Sequence, residues 1–135
     1  MTLCDAGPLI ALLDVDDRKH SACVAALPTL SSPLLTTWPC LAEAMYLVGQ
    51  YGGHPMQENL WTLVEQGTLS LYISTDPERT RMRELMRRYR NVPMDLADAS
   101  LVAAAKVLED SRIFTTDSDF YVYRINNAGA FEVVP

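Results

Sequence analysis

Four carboxylates sit in apolar surroundings where a folded domain has little structural use for them. Asp5 follows Leu3-Cys4, Glu43 lies within Leu41-Ala42-Glu43-Ala44-Met45, Asp98 opens an alanine-rich run, and Asp117 follows Ile113-Phe114-Thr115-Thr116. Carboxylates withdrawn from water are normally paired, hydrogen-bonded or bound to a cation. Brought together, these four would make a site for a hard divalent ion, and a donor set of oxygens without His or Cys selects Mg²⁺ or Mn²⁺ over zinc. A cation held there would acidify water for attack on phosphorus and neutralise charge on the phosphoryl and leaving oxygens. Phosphodiester hydrolysis is the chemistry these residues offer if the fold makes them converge.

The elements that must position them alternate between short apolar runs and helical patterns. Leu3-Cys4 closes a first strand, and Pro8 to Leu13 begins a helix behind Gly7-Pro8. Ser21 to Ala26 reads as a short helix ended by Pro28. Leu34 to Trp38 reads as a strand, and Pro39 opens a helix running to about Gln50, before the Gly52-Gly53-His54-Pro55 break. A helix from about Met56 to Gln66, a strand through Leu69, Leu71 and Ile73, and a helix from Pro77 capped by Asp76 follow. Helix 96–109, strand 112–116 and strand 131–134 complete the chain. Strands separated by helices, without hairpin dipeptides between them, predict a three-layer α/β/α sandwich around a central, mainly parallel sheet, as a single domain over residues 1–135.

Ligands on such sheets bind beyond the carboxyl ends of the strands. Asp5 and Asp117 each follow a strand, while Glu43 and Asp98 lie in early turns of helices entered from that same rim, so all four can share one edge. Each acid also has a plainer reading. Asp5 could cap the first helix. Asp95 and Asp98 could serve as a cap and a first-turn carboxylate answering the helix dipole. Asp117 and Asp119 could belong to a polar turn, and Glu43 could lie on a narrow solvated stripe. Glu43 resists its plain reading best, because no cation lies three or four residues away. Four coincidences on one rim are less probable than one shared ligand.

Composition narrows the classes further. With 135 residues, 49% hydrophobic and 21% charged, the chain has the composition of an ordinary globular domain. No apolar stretch approaches the ~20 residues that span a bilayer, and no basic leader with a cleavage site opens the chain, so a cytoplasmic protein without membrane contact is expected. Cys4, Cys23 and Cys40 are widely spaced in apolar contexts and read as reduced core residues. His20 and His54 read as surface or capping residues. The net charge of −6 opposes polyanion binding by the molecule as a whole. Charge is nevertheless segregated, because six of the eleven basic residues fall between Arg79 and Arg90. Met82, Leu85, Met86 and Tyr89 form the core face of that helix, and Arg79, Arg83, Arg87 and Arg90 form an outer stripe that could meet an RNA backbone, with Arg81 and Arg88 beside it.

Four segments together carry a family resemblance: DAGPLIALLD at 5–14, TTWPCLAEAMYLV at 36–48, PMDLADASLVAAA at 93–105 and IFTTDSDF at 113–120. In this order, over nearly the whole chain, they resemble the signature regions of PIN domains, and especially the toxin ribonucleases of VapBC systems. The resemblance implies a PIN-like fold, endonucleolytic cleavage of RNA, and Asp5, Glu43, Asp98 and Asp117 as the metal-binding and catalytic acids around one or two Mg²⁺ or Mn²⁺ ions. It further implies a supporting role for Asp119 and an orienting hydroxyl on Thr115, with Asp95 as the helix cap. Such toxins commonly pair as homodimers and are held by an antitoxin protein. After Asp5 this chain has Ala6-Gly7, where many members carry Ser, Thr or Asn, so any help from a hydroxyl or amide there is missing.

Two other classes remain open. A PIN-like module could bind RNA or protein without cutting, its acids retained for structure. A phosphoaccepting receiver domain would need paired acids after the first strand and a Lys after a late one, whereas this chain has Asp5 alone and Thr-Thr-Asp.

Overall fold

Successive side chains of a strand face opposite sides of a sheet, and here that alternation divides the core in two. The computed structural model describes residues 1–135. Its strands β1 (Thr2–Cys4), β2 (Leu34–Thr37), β3 (Leu69–Tyr72), β4 (Arg112–Phe114) and β5 (Glu132–Val134) pair in the order β3-β2-β1-β4-β5, every neighbour parallel. Leu3, Leu35 and Ile113 enter a cluster with helices α4 (Asp76–Arg88) and α5 (Leu96–Leu108). Cys4, Leu34 and Phe114 enter a second cluster on the opposite face, with α1 (Ala6–Leu13), α2 (His20–Ala26) and α3 (Trp38–Glu65). Three layers result, as the sequence predicts, and the sheet is wholly parallel.

α5 is buried without interruption from Ala97 to Ala105. Its many alanines let the helix approach the sheet closely, while Leu101 and Val102 each contribute about 1.5–3 kcal/mol of burial. Cys4, Cys23 and Cys40 are free and buried, as expected.

The chain leaves β1 toward β2 and β3 on one side and returns on the other through β4 and β5. The strand order thus reverses between β1 and β4, the kind of switch point at which open α/β sheets form their ligand crevice. The Asp5 N–H donates to the Phe114 carbonyl at 2.9 Å, stitching the two strand ends together at that crevice.

Several element ends differ from the sequence expectation. β2 ends at Thr37 and Trp38 is already helical, because the Thr37 hydroxyl turns to accept the Cys40 N–H at 3.4 Å. β4 ends at Phe114, where the Thr115 side chain turns to the site described below. The break expected at 52–55 is present: Gly53, at φ 68 and ψ −163, is not helical and divides α3 into two helical segments. The cap of α4 is Thr75 and not Asp76, since Thr75 is the last residue with extended backbone. The Glu78 carboxylate accepts from the Thr75 N–H at 2.7 Å, the Thr75 hydroxyl at 2.9 Å and the Tyr72 hydroxyl at 2.7 Å, tying α4 to the end of β3.

Candidate metal centre

Asp5 is held on both carboxylate oxygens. Oδ1 accepts the Ala6 N–H at 2.8 Å, which caps α1, and Oδ2 accepts the Thr115 hydroxyl at 2.8 Å. The capping role and the site role therefore coexist in one side chain. Thr115 also accepts the Asp117 N–H at 3.0 Å, so one buried hydroxyl sets the spacing between Asp5 and Asp117. Asp117 Oδ1 accepts the Asp119 N–H at 2.9 Å and starts a 3₁₀ turn. Asp95 caps α5 by accepting the Asp98 N–H at 2.8 Å. That leaves Asp98 free of capping duty, and its Oδ2 accepts the Tyr123 hydroxyl at 2.7 Å.

One ligand oxygen each from Asp5, Asp98 and Asp117 lies within 4.8 Å of the others. They open into a cavity of about 390 Å³ that Glu43, Asp95, Thr116 and Ser118 also line. Glu43 therefore faces the same cavity from α3 but stays outside the tight cluster, and its side chain is exposed. No Lys or Arg lines the cavity, and none of these acids belongs to a salt bridge.

The electrostatics follow from acids crowded together without cations. Burial raises the Asp5 carboxyl; the Thr115 and Ala6 hydrogen bonds oppose this in part, and the charges of Asp117 and Asp95 add to it. Asp98 is pushed up to about 7, first by burial, with the Tyr123 hydrogen bond opposing and Asp95, Asp5 and Asp117 adding. Glu43 is raised by burial and then by Asp95, Asp5 and Asp117, despite its exposure. Asp119 is raised too, by burial and then Asp117. Cys40 Sγ lies 4.0 Å from Asp5 Oδ1 and 3.6 Å from the Ala97 carbonyl. Burial and then the Asp5 charge raise its thiol far above the ordinary range, and the ligand atoms that cluster are the oxygens of the three aspartates, without Cys40.

The donor set fits a hard divalent cation: clustered carboxylates, water access, and no nearby positive charge to neutralise them. Thr116 Oγ1 lies only 2.5 Å from where a Cβ on Gly7 would stand, so glycine there admits the threonine.

Tyr123 is the residue that sequence reasoning misses, since a core tyrosine twenty-five positions from Asp98 has no local signature. Arg79, Arg83, Arg87 and Arg90 are exposed, as the outer stripe predicts, and none lines the acidic cavity. Arg79 pairs with Asp76, and Arg90 donates to the Arg87 carbonyl at 2.9 Å.

This fold, with acids gathered at the β1/β4 switch point, agrees with the family to which the chain belongs: it is a member of the PIN domain family, whose sequence profile matches residues 2–126. No curated protein sequence matches it. Among solved structures, VapC20 of Mycobacterium tuberculosis, described as a Sarcin-Ricin loop cleaving toxin, superposes with a TM-score of 0.84 at 17% identity over 100% of both chains. A toxin-antitoxin complex from Klebsiella pneumoniae superposes at 0.70, with 20% identity over 100% of this chain and 97% of the other. FitAcB from Neisseria gonorrhoeae superposes at 0.61, with 16% identity over 98% and 97%. At these identities the likeness is one of fold.

Proposed function

We propose that this protein is a Mg²⁺- or Mn²⁺-dependent endoribonuclease and the toxin of a toxin-antitoxin pair. The observation that carries the reading is the approach of Asp5, Asp98 and Asp117 oxygens to within 4.8 Å of one another in an open cavity free of cations. Membership of the PIN family and a fold shared with toxins support the nuclease class and an antitoxin partner. The cytoplasm as its location and a homodimer as its assembly belong to the same proposal. No helix is long and apolar enough to cross a membrane.

In this reading Asp5, Asp98 and Asp117 hold the cation, and Glu43 completes the quartet from the facing wall. When bound, the cation supplies Lewis acidity toward water and the phosphoryl oxygens. One of the four carboxylates accepts the proton that water gives up. Thr115 is a positioning residue: its hydroxyl fixes Asp5 Oδ2 and the backbone of Asp117 together. Asp119 is a supporting acid beside the site, its backbone N–H held by the Asp117 carboxylate. Arg79, Arg83, Arg87 and Arg90 are assigned to the RNA backbone.

The test is cleavage of a mixed RNA pool by purified protein with Mg²⁺ or Mn²⁺, with and without EDTA, followed by mapping of the ends. EDTA should abolish cutting. Asp5→Asn should lower the rate by more than the roughly 10–100-fold typical of losing an outer partner of a metal ligand, while leaving the chain folded. An Asp5→Asn protein that cuts at the wild-type rate defeats the assignment. If calorimetry detects no Mn²⁺ uptake by the wild type, a PIN-like module that binds without cutting takes its place.

A further inference from the structure

A second cavity, of about 490 Å³, opens between α4 and α5 against residues 126–127, and its lining is electrically the reverse of the first. Arg81, Arg88 and Lys106 face it with a single carboxylate, Glu84, and the two amides Asn126 and Asn127. None of the three cations lies within 4.0 Å of a carboxylate, in a chain whose acids outnumber its bases. Arg81 is turned partly inward, donating to the Val102 carbonyl at 3.2 Å and to the Ile125 carbonyl. Those carbonyls satisfy N–H groups without cancelling charge, and burial followed by the Arg88 charge lowers its proton affinity. Arg88 is set by the Asn127 side-chain oxygen, to which it donates at 2.9 Å. Holding two guanidinium groups together opposes their repulsion, and an anion between them would relieve it.

We propose that this cavity binds a phosphodiester of the RNA, Arg81, Arg88 and Lys106 meeting its oxygens and Asn126 and Asn127 adding neutral donors. The inference rests on the endoribonuclease reading. Guanidinium forks match tetrahedral oxyanions, and paired forks fix position as well as charge. Lys106 lies eight residues beyond Asp98 on α5, or about 12 Å along the helix axis, so a strand seated here would extend a short distance from the acidic cavity. This assigns RNA contact to the flank of α4 that faces α5, in addition to the outer stripe.

The experiment measures binding of a fluorescent single-stranded RNA by anisotropy across a salt series, using full chains carrying Asp98→Asn so that the probe is not cut. Arg88→Ala with Lys106→Ala removes two exposed cations and spares Arg81, whose carbonyl bonds are structural; an unchanged melting temperature verifies the fold. Affinity at low salt should fall about tenfold or more, and the slope of log K against log salt should lose about 0.7 for each cation that meets a phosphate. Arg83→Ala with Arg87→Ala on the outer stripe is the comparison. Loss of affinity only in that second pair, or unchanged binding in the first, overturns the proposal while leaving the nuclease reading intact. Weakened binding of a glutamate-rich peptide with unchanged RNA binding overturns it in favour of a protein partner. An Asp98→Asn chain that binds no RNA overturns it as well, and the nuclease reading is then judged separately by wild-type cleavage.

Discussion

Asp98 is pulled in two directions. Burial and the neighbouring acids raise its affinity for protons, while the Tyr123 hydroxyl at 2.7 Å favours the ionised form. Tyr123→Phe removes only the opposing influence and keeps the ring packed edge-on against Tyr89 and Phe120, at centroid distances of 5.2 and 5.1 Å. Asp98 should therefore titrate above its wild-type position of about 7, and a carboxyl NMR titration in EDTA reads the shift directly. The acidic limb of the cleavage profile should move the same way, with stability changed by about 1 kcal/mol for the lost hydrogen bond. A downward or absent shift removes Tyr123 from the site. Asp5, Glu43 and Asp98 were legible because each is out of place among apolar neighbours, and Asp117 because it closely follows the apolar strand Ile113-Phe114. Tyr123 was not, since a tyrosine among Phe120 and Ile125 looks like ordinary core until the partner carboxylate is seen. Glu43 shows the limit of the same logic: apolar neighbours in sequence placed it in a helix facing the cavity, but its carboxylate stays exposed and outside the close cluster.

Elements were legible where periodicity decides and illegible where a single side-chain bond ends them. The five strands and the α4 core face through Met82 and Leu85 follow from hydrophobic pattern. The ends of β2 and β4 depend on where the Thr37 and Thr115 hydroxyls turn, and the cap of α4 on the reach of Glu78, none of which pattern encodes. Gly53 is the clearest case of backbone chemistry visible in sequence: the double glycine before His54-Pro55 announced a break, and φ 68 with ψ −163 is a region reserved almost entirely for glycine. The kink lets the second segment of α3 bring Leu60 into the core formed with Leu41, Ala44 and Val48. Gly53→Ala should therefore destabilise the chain by about 1–3 kcal/mol, seen as a lower urea midpoint. RNA cleavage by the folded fraction should persist, because the first segment carrying Glu43 is untouched. An unshifted midpoint means the kink relaxes without cost.

At the scale of the whole molecule, the acidic cavity trades stability for function, and pH and metal should oppose each other in a predictable way. Without metal, folded Asp98 keeps its proton up to about 7, and Asp5 is raised in the same direction, whereas in the unfolded chain both ionise near the ordinary carboxylate value of about 4. Between those limits the folded state binds more protons, so this contribution is fully present at low pH and is lost as pH rises through about 7. A cation replaces those protons, so its stabilisation should grow over the same interval. At a hundredfold excess over Kd a ligand contributes about 2.7 kcal/mol, roughly 10 °C in melting temperature for a domain of this size. The wild type in EDTA should accordingly lose melting temperature between about pH 5 and 8 relative to Asp98→Asn, which carries no charge at that position. Mn²⁺ should restore the wild type at pH 8, act less at pH 5, and leave Asp98→Asn nearly unmoved. Equal Mn²⁺ responses in the two proteins, or an EDTA difference of the opposite sign, would show that the three aspartates do not act as one cation site, and the nuclease reading would lose the physical ground it rests on.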